Sequence, residues 1–213
     1  SDVEKAVVKA TNHDLVTPKE KHVVNLLRWC ETGYFSGAKS VGVPEIITML
    51  GRRFRQQDWI VVMKTLVVFH RLLRGGNQRF TEEVSRQVSI FNLSSFKDDS
   101  SPQAWEQSIF ISRYAQYVEE KLYVFRDLEY EVEKEKTNES RFRKMEPTKL
   151  LHALPVVQKQ FQKLLDIQPT ATSVDNQATQ AALTVIVIDA IKLFRATNDG
   201  VLNLLEHFFN MDI

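Results

Sequence analysis

Apolar residues recur every three or four positions along this chain, so nearly all of it reads as helix. VEKAVVKA predicts a short helix over 3–10, stopped by the turn pair Thr11-Asn12. A second helix is predicted over 18–32, with Thr17 as N-cap, Pro18 at the first helical position and Glu20 where a capping box places its acid. The glycine- and serine-containing segment 33–42 ends it. Pro44 then opens a basic amphipathic helix over 44–55, with Ile46, Ile47, Leu50 and Phe54 at helical spacing. Residues 57–74 are apolar nearly all round, the pattern of a central buried helix. Gly75-Gly76 stops that helix, and 78–90 forms another.

The connection FNLSSFKDDSSP ends in Ser101, an N-cap, and Pro102, suited to the first helical position. From there to Lys136 no breaker intervenes, which predicts a rod of roughly 50 Å at 1.5 Å per residue. Its aromatics Phe110, Tyr114 and Tyr117 fall at core spacing, and its charge-dense end, EYEVEKEK, is expected in solvent. After a loop-like stretch over 137–145, helices are predicted at 147–166, with a kink at Pro155, then at 175–197 and 199–211. No strand alternation persists. Successive helices with short connections predict an all-α fold, a stacked solenoid.

Composition narrows the class. A chain of 213 residues with 7 Gly and 6 Pro leaves room for long helices, and Cys30, the single cysteine, falls in an apolar stretch where it is expected buried and inert. No unbroken apolar run of about 18 residues occurs, so no transmembrane helix is expected. No signal peptide opens the chain, and it reads as cytosolic. The net charge of +1 conceals an asymmetry: residues 1–80 hold thirteen Lys/Arg against seven Asp/Glu, whereas 81–213 hold fifteen against twenty. Such a molecule orients its N-terminal portion toward a negative surface, and membrane headgroups and nucleic acid both qualify.

No catalytic constellation is evident. There is no Gly-rich phosphate loop, no serine in a nucleophile elbow, and the five histidines do not pair at metal-ligand spacing with one another or with Cys30. Neither a metal nor a cofactor is expected, and the chain is not expected to be an enzyme.

The most informative spacing is Lys9, nine residues, Lys19, one residue, then Lys21-His22. A helix N-terminus already favours anions, so cations placed there work against helix stability and suit a ligand that carries phosphate. Lys19 and Lys21 lie about 200° apart on a helical wheel and can share an anion only over the helix end. A solvated basic surface produces the same spacing.

With these residues the chain resembles the ANTH domain of the clathrin-assembly phosphoinositide-binding proteins, whose lipid signature is Lys, nine residues, Lys, any residue, Lys or Arg, then His or Tyr. WIVVMKTLVVFHRLLRGGNQRF, FNLSSFKDD, ISRYAQYVEEKL and DAIKLFRATNDGVLNLLEHFFNM are similar to the family in the same order, and SSFKDDSSPQAW is nearest to plant-type members. The resemblance implies a single domain over 1–213, a right-handed superhelical solenoid of the ENTH/VHS/ANTH type, with further family helices beyond Ile213. It implies binding of phosphatidylinositol 4,5-bisphosphate through Lys5, Lys9, Lys19, Lys21 and His22, and a role in loading cargo into clathrin-coated vesicles at the plasma membrane. Clathrin and adaptor complexes would bind a disordered tail not present here. A vesicle-SNARE helix would lie in an apolar groove to which Ile186 and Met211 contribute, and no nucleic acid is expected. Glu20 departs from the animal members, which are often basic there. The rival readings are a protein-binding VHS-like adaptor and a helical repeat that binds nucleic acid through the same basic pole.

Overall fold

The computed structural model describes residues 1–32, 34–36, 39–87 and 91–208. It consists of helices α1 (Asp2–Ala10), α2 (Glu20–Thr32), α3 (Val43–Phe54), α4 (Trp59–Gly75), α5 (Gln78–Ser85), α6 (Pro102–Leu128), α7 (Pro147–Leu165) and α8 (Gln177–His207). Two 3₁₀ turns, Val132–Lys134 and Arg141–Lys144, lie between α6 and α7. The fold is the expected stack of helices, with one small addition. Strands β1 (Tyr34–Ser36) and β2 (Lys39–Val41) form an antiparallel hairpin, with Tyr34 opposite Val41, where the sequence reading places only a break.

Most helix starts follow from local chemistry. Asp58 accepts from the amides of Ile60 and Val61 at 2.8 and 3.3 Å, and Ser101 from that of Ala104 at 3.0 Å, so free N–H groups are satisfied before tertiary packing acts. The apolar all-round pattern of α4 is explained by its position: it packs against α1, α2, α3, α5, α6 and α8. Phe69 in its middle meets Phe54, Phe80 and Phe91 edge-on. Cys30 is buried, and desolvation pushes its thiol up to about 12.

The centre is not purely apolar. His70 of α4, fully buried, meets Asp189 of α8 at 2.6 Å through Nε2 and Tyr114 of α6 at 2.9 Å through Nδ1. Tyr117 donates to the same Asp189 at 2.6 Å, and Arg74 closes on its other oxygen. Lys121, also buried, binds Glu133 at 2.6 Å and lies 3.5 Å from both Glu131 and Asp189. A buried charge is tolerable only when it is paired and hydrogen-bonded, and these residues pair one another across three helices.

That network corrects the expected rod. α6 stops at Leu128, where Glu129 adopts a left-handed φ of 59°, and the acidic stretch turns back into the protein. Val132 and Glu133 are buried rather than solvated, because Lys121 requires counter-charges inside. The following turn docks on α8: Asp199 accepts from the Ser140 amide at 2.7 Å, and Asn203 donates to the Phe142 and Met145 carbonyls at 2.8 Å each.

The predicted break near residue 198 is absent, and α8 runs unbroken for 31 residues. Gly200 is a close approach and not a stop: a Cβ there would sit 2.9 Å from Leu154 Cδ1 and 3.3 Å from Phe142 Cδ2. Pro155 likewise lies inside α7 without ending it. α8 is long and apolar enough by length and composition to cross a membrane. Its Ala182, Ile186 and Leu193 are nevertheless buried, and it packs against α4 and α7.

Candidate anion-binding site

The basic pole is built by the end of α1, the loop after it, and the start of α2. Lys5 and Lys9 are exposed on α1, and Lys19 and Lys21 are exposed where α2 begins. Among the described residues none of these four lysines makes an ion pair. His22 is half-buried between them. Its imidazole is held below the usual histidine range by burial first, then by the charges of Lys9, Lys21 and Lys19. The structure thus brings Lys9, Lys19, Lys21 and His22 into one cluster. Lys5 stands one turn earlier on α1 and is not among the charges that act on His22.

The helix start differs in detail from the sequence reading. α2 begins at Glu20, and the Lys19 carbonyl accepts from the amides of His22 at 3.0 Å and Val23 at 3.4 Å. Lys19 therefore occupies the capping position, two residues after Thr17, and Pro18 is buried ahead of the helix. Glu20 does not close a capping box. Its carboxylate is taken by Arg71 of α4, whose Nη1 and Nη2 donate at 2.6 and 2.7 Å, and that bond keeps the Glu20 carboxyl below its ordinary range. The acid between Lys19 and Lys21 is thereby paired.

Two residues unforeseen at the sequence level hold the loop. Arg53 of α3 donates to Thr11 Oγ1 at 2.9 Å and to the Thr11 carbonyl at 2.6 Å. Lys64 of α4 donates to Asn12 Oδ1 at 2.5 Å and to the Asp14 carbonyl at 3.1 Å. The one available signal was Lys64 itself, a charge in the middle of WIVVMKTLVVF that needs a partner wherever the helix is buried. Arg53 and Arg71 gave none. Chemically, the cluster presents flexible ammonium groups and a weak histidine donor to an anion lying over the N-terminus of α2, where backbone amides add their own attraction.

The residues expected at the other end fare differently. Ile186 is 4% exposed and belongs to the core, because its side of α8 faces inward. Exposed apolar positions of α8 include Val187, Ile188, Ile191 and Phe194, and farther along Leu202 and Leu205. Met211 lies outside the described residues.

The family model described as ANTH domain matches residues 2–213. The chain is 36% identical over 212 residues to the phosphatidylinositol-binding clathrin assembly protein of Homo sapiens, covering 99% of this chain and 32% of that protein. It is 36% identical to human clathrin coat assembly protein AP180, covering 99% of this chain and 23% of that one. A putative clathrin assembly protein of Arabidopsis thaliana is 36% identical over 224 residues, 38% of its length. The chain thus spans between 23% and 38% of the length of these curated relatives. Among solved structures, helical ANTH and ENTH tubules on membranes containing PI(4,5)P2 align with a TM-score of 0.71 at 16% identity, over 99% of this chain and 78% of that one. The ENTH domain of epsin-2, solved with phosphatidylinositol 4,5-bisphosphate, aligns with a TM-score of 0.65 at 12% identity, over 98% of this chain and 81% of that one. At such identities the structural likeness shows the fold, whereas the sequence matches show the family. The chain belongs to the ANTH domain family.

Proposed function

We propose that this domain is a non-catalytic membrane adaptor that binds phosphatidylinositol 4,5-bisphosphate and serves clathrin-mediated endocytosis. The observation that carries the reading is the grouping of Lys9, Lys19, Lys21 and His22 at one helix N-terminus, the lysines exposed and without ion pairs among the described residues. Like charges held together without counter-ions repel one another, and a polyanionic headgroup relieves that repulsion. The names of the relatives support the same reading. Lys5 adds charge to the approach and makes at most a peripheral contact. Affinity should be modest and salt-sensitive, because the site is open to solvent. Recruitment would place the protein at the cytosolic face of the plasma membrane in coated pits, with clathrin and adaptor complexes engaged by parts of a longer protein.

Vesicle co-sedimentation tests this directly. Binding to phosphatidylcholine vesicles should appear only when phosphatidylinositol 4,5-bisphosphate is included and should survive competition by duplex DNA or RNA. Loss of vesicle binding to nucleic acid would favour the nucleic-acid reading, and no binding to either would favour a protein-only adaptor.

A second partner is supported by α8, whose Val187 (52%), Ile191 (53%) and Phe194 (58%) are exposed along one helical face. A vesicle-SNARE helix would dock there by its own apolar stripe. Phe194→Asp should leave the melting temperature unchanged and abolish binding of a SNARE-helix peptide. Unchanged peptide affinity would remove this face from the proposal.

A further inference from the structure

Lys19, Glu20, Arg71 and Arg74 face one groove of about 850 Å3 between the start of α2, α4 and α8, floored by apolar side chains including Leu27 and Val185. The two arginines are differently engaged. Arg74 reaches into the protein to Asp189, which is fully buried, and is committed to the core network. Arg71 remains at the rim: its side chain is 28% exposed and its partner Glu20 is 64% exposed. Its two terminal nitrogens make parallel bonds to the two carboxylate oxygens, at 2.6 and 2.7 Å.

A guanidinium fork that grips a carboxylate in this manner is equally complementary to phosphate, and more so than an ammonium group. Glu20 directly follows Lys19, the member of the basic cluster that also faces this groove. A carboxylate is a monoanion, whereas a phosphate monoester carries close to two charges at neutral pH. Exposed ion pairs are weak, so an incoming dianion competes well for the fork.

The geometry points to Arg71 as a further phosphate-binding residue of the Lys9, Lys19, Lys21 and His22 site, masked by Glu20, whose carboxylate holds the fork in place of a phosphate. This rests on the headgroup reading above and deepens it. Exchange of Glu20 for phosphate makes the site selective for headgroups with monoester phosphates over lipids such as phosphatidylserine, whose carboxylate and diester are each monoanions with no charge advantage over Glu20. The free inositol phosphate and the membrane lipid share this chemistry.

The experiment compares Glu20→Gln, Arg71→Gln and the double variant. Each is titrated by calorimetry with soluble inositol 1,4,5-trisphosphate, and by sedimentation with vesicles holding either phosphatidylinositol 4,5-bisphosphate or phosphatidylserine at matched charge. Thermal melts verify folding. Glu20→Gln should bind the soluble trisphosphate about fivefold tighter, the scale of one exposed charge-assisted contact. The double variant should lose that gain. Arg71→Lys, which keeps the charge without the fork, should also bind more weakly than the parent chain. A gain that persists without Arg71 would mean that Glu20 acts only by its charge, and would overturn the mask. So would the absence of any gain, or a gain confined to vesicles and equal on phosphatidylserine. A parent chain that binds neither the trisphosphate nor phosphoinositide vesicles would instead refute the headgroup reading itself.

Discussion

The ammonium of Lys64, buried in α4, donates to Oδ1 of Asn12 at 2.5 Å and so ties the loop between Lys9 and Lys19 to the central helix. Burial holds Lys64 below the usual lysine range, which makes its two oxygen partners necessary and not ornamental. The loop is thus fixed from α4, while Arg53 fixes its start from α3. A cluster of exposed lysines thus owes its shape to a buried one.

Lys64→Met should therefore weaken phosphoinositide binding without removing any group that touches the lipid. Loss of the contact leaves Asn12 with an unmet acceptor and should cost about 1–3 kcal/mol of stability. Hydrogen exchange should accelerate over 11–16 and change little in α6 and α7. Unaltered vesicle affinity in a variant with a loosened loop would show that the loop does not position the site.

Replacing Lys19 and Lys21 together by Glu should abolish vesicle binding while the thermal melt stays in place. Both side chains are exposed and make no ion pair among the described residues, and such substitutions move stability by less than about 0.5 kcal/mol. Unfolding of the double variant would make these lysines structural.

The pH dependence of binding reports on His22. In the protein alone its imidazole lies below the ordinary range, because burial and three lysine charges disfavour the cation. A bound polyanion reverses the second cause and raises the value, so binding takes up a proton. Affinity should then climb as pH falls from 7.5 through the complex's value, levelling off below the free protein's value, which lies under about 6.5. Phosphate monoesters protonate near pH 6 and act in the opposite direction, so His22→Gln supplies the reference curve. Superimposable curves for the two proteins would exclude protonation of His22 from binding.

Asp189 should be the least replaceable acid. It receives His70 and Tyr117 and lies against Arg74 and Lys121, so Asp189→Ala strands buried cations and should cost about 3–5 kcal/mol. Denaturant melts of the two proteins measure it. His70 itself is held neutral, well below its usual range, by burial and by the charges of Lys121 and Arg74, against the raising effect of Glu133 and Glu131. The unfolded chain takes up a proton there near pH 6.5 whereas the native state does not. Stability should accordingly fall as pH drops below that point, and His70→Gln should flatten the slope if the variant retains the Asp189 and Tyr114 contacts.

What could be read from the sequence was whatever short-range geometry encodes. Apolar spacing located the helices of the described residues, with the last two predicted segments fused in α8 and the rod of α6 ending eight residues early at Leu128, and Ser101 with Pro102 marked the start of α6. The Lys9, Lys19, Lys21 and His22 spacing was equally visible, although the loop that brings the two helix ends together is held by Arg53 and Lys64 from 42 to 52 positions away. The rest depended on residues far apart in the chain. The sequence predicts a break at residue 198, yet Gly200 just beyond it admits Leu154 and Phe142, and their packing accompanies an α8 that runs through. EYEVEKEK looks like a solvated face, yet Lys121 draws Glu133 inside. Glu20 looks like a capping acid, yet Arg71 takes it from 51 positions away. In the first two cases a tight approach or a buried charge outweighs local preference, in the third a bidentate pair redirects an exposed acid, and in all three only the folded chain brings the two residues within reach.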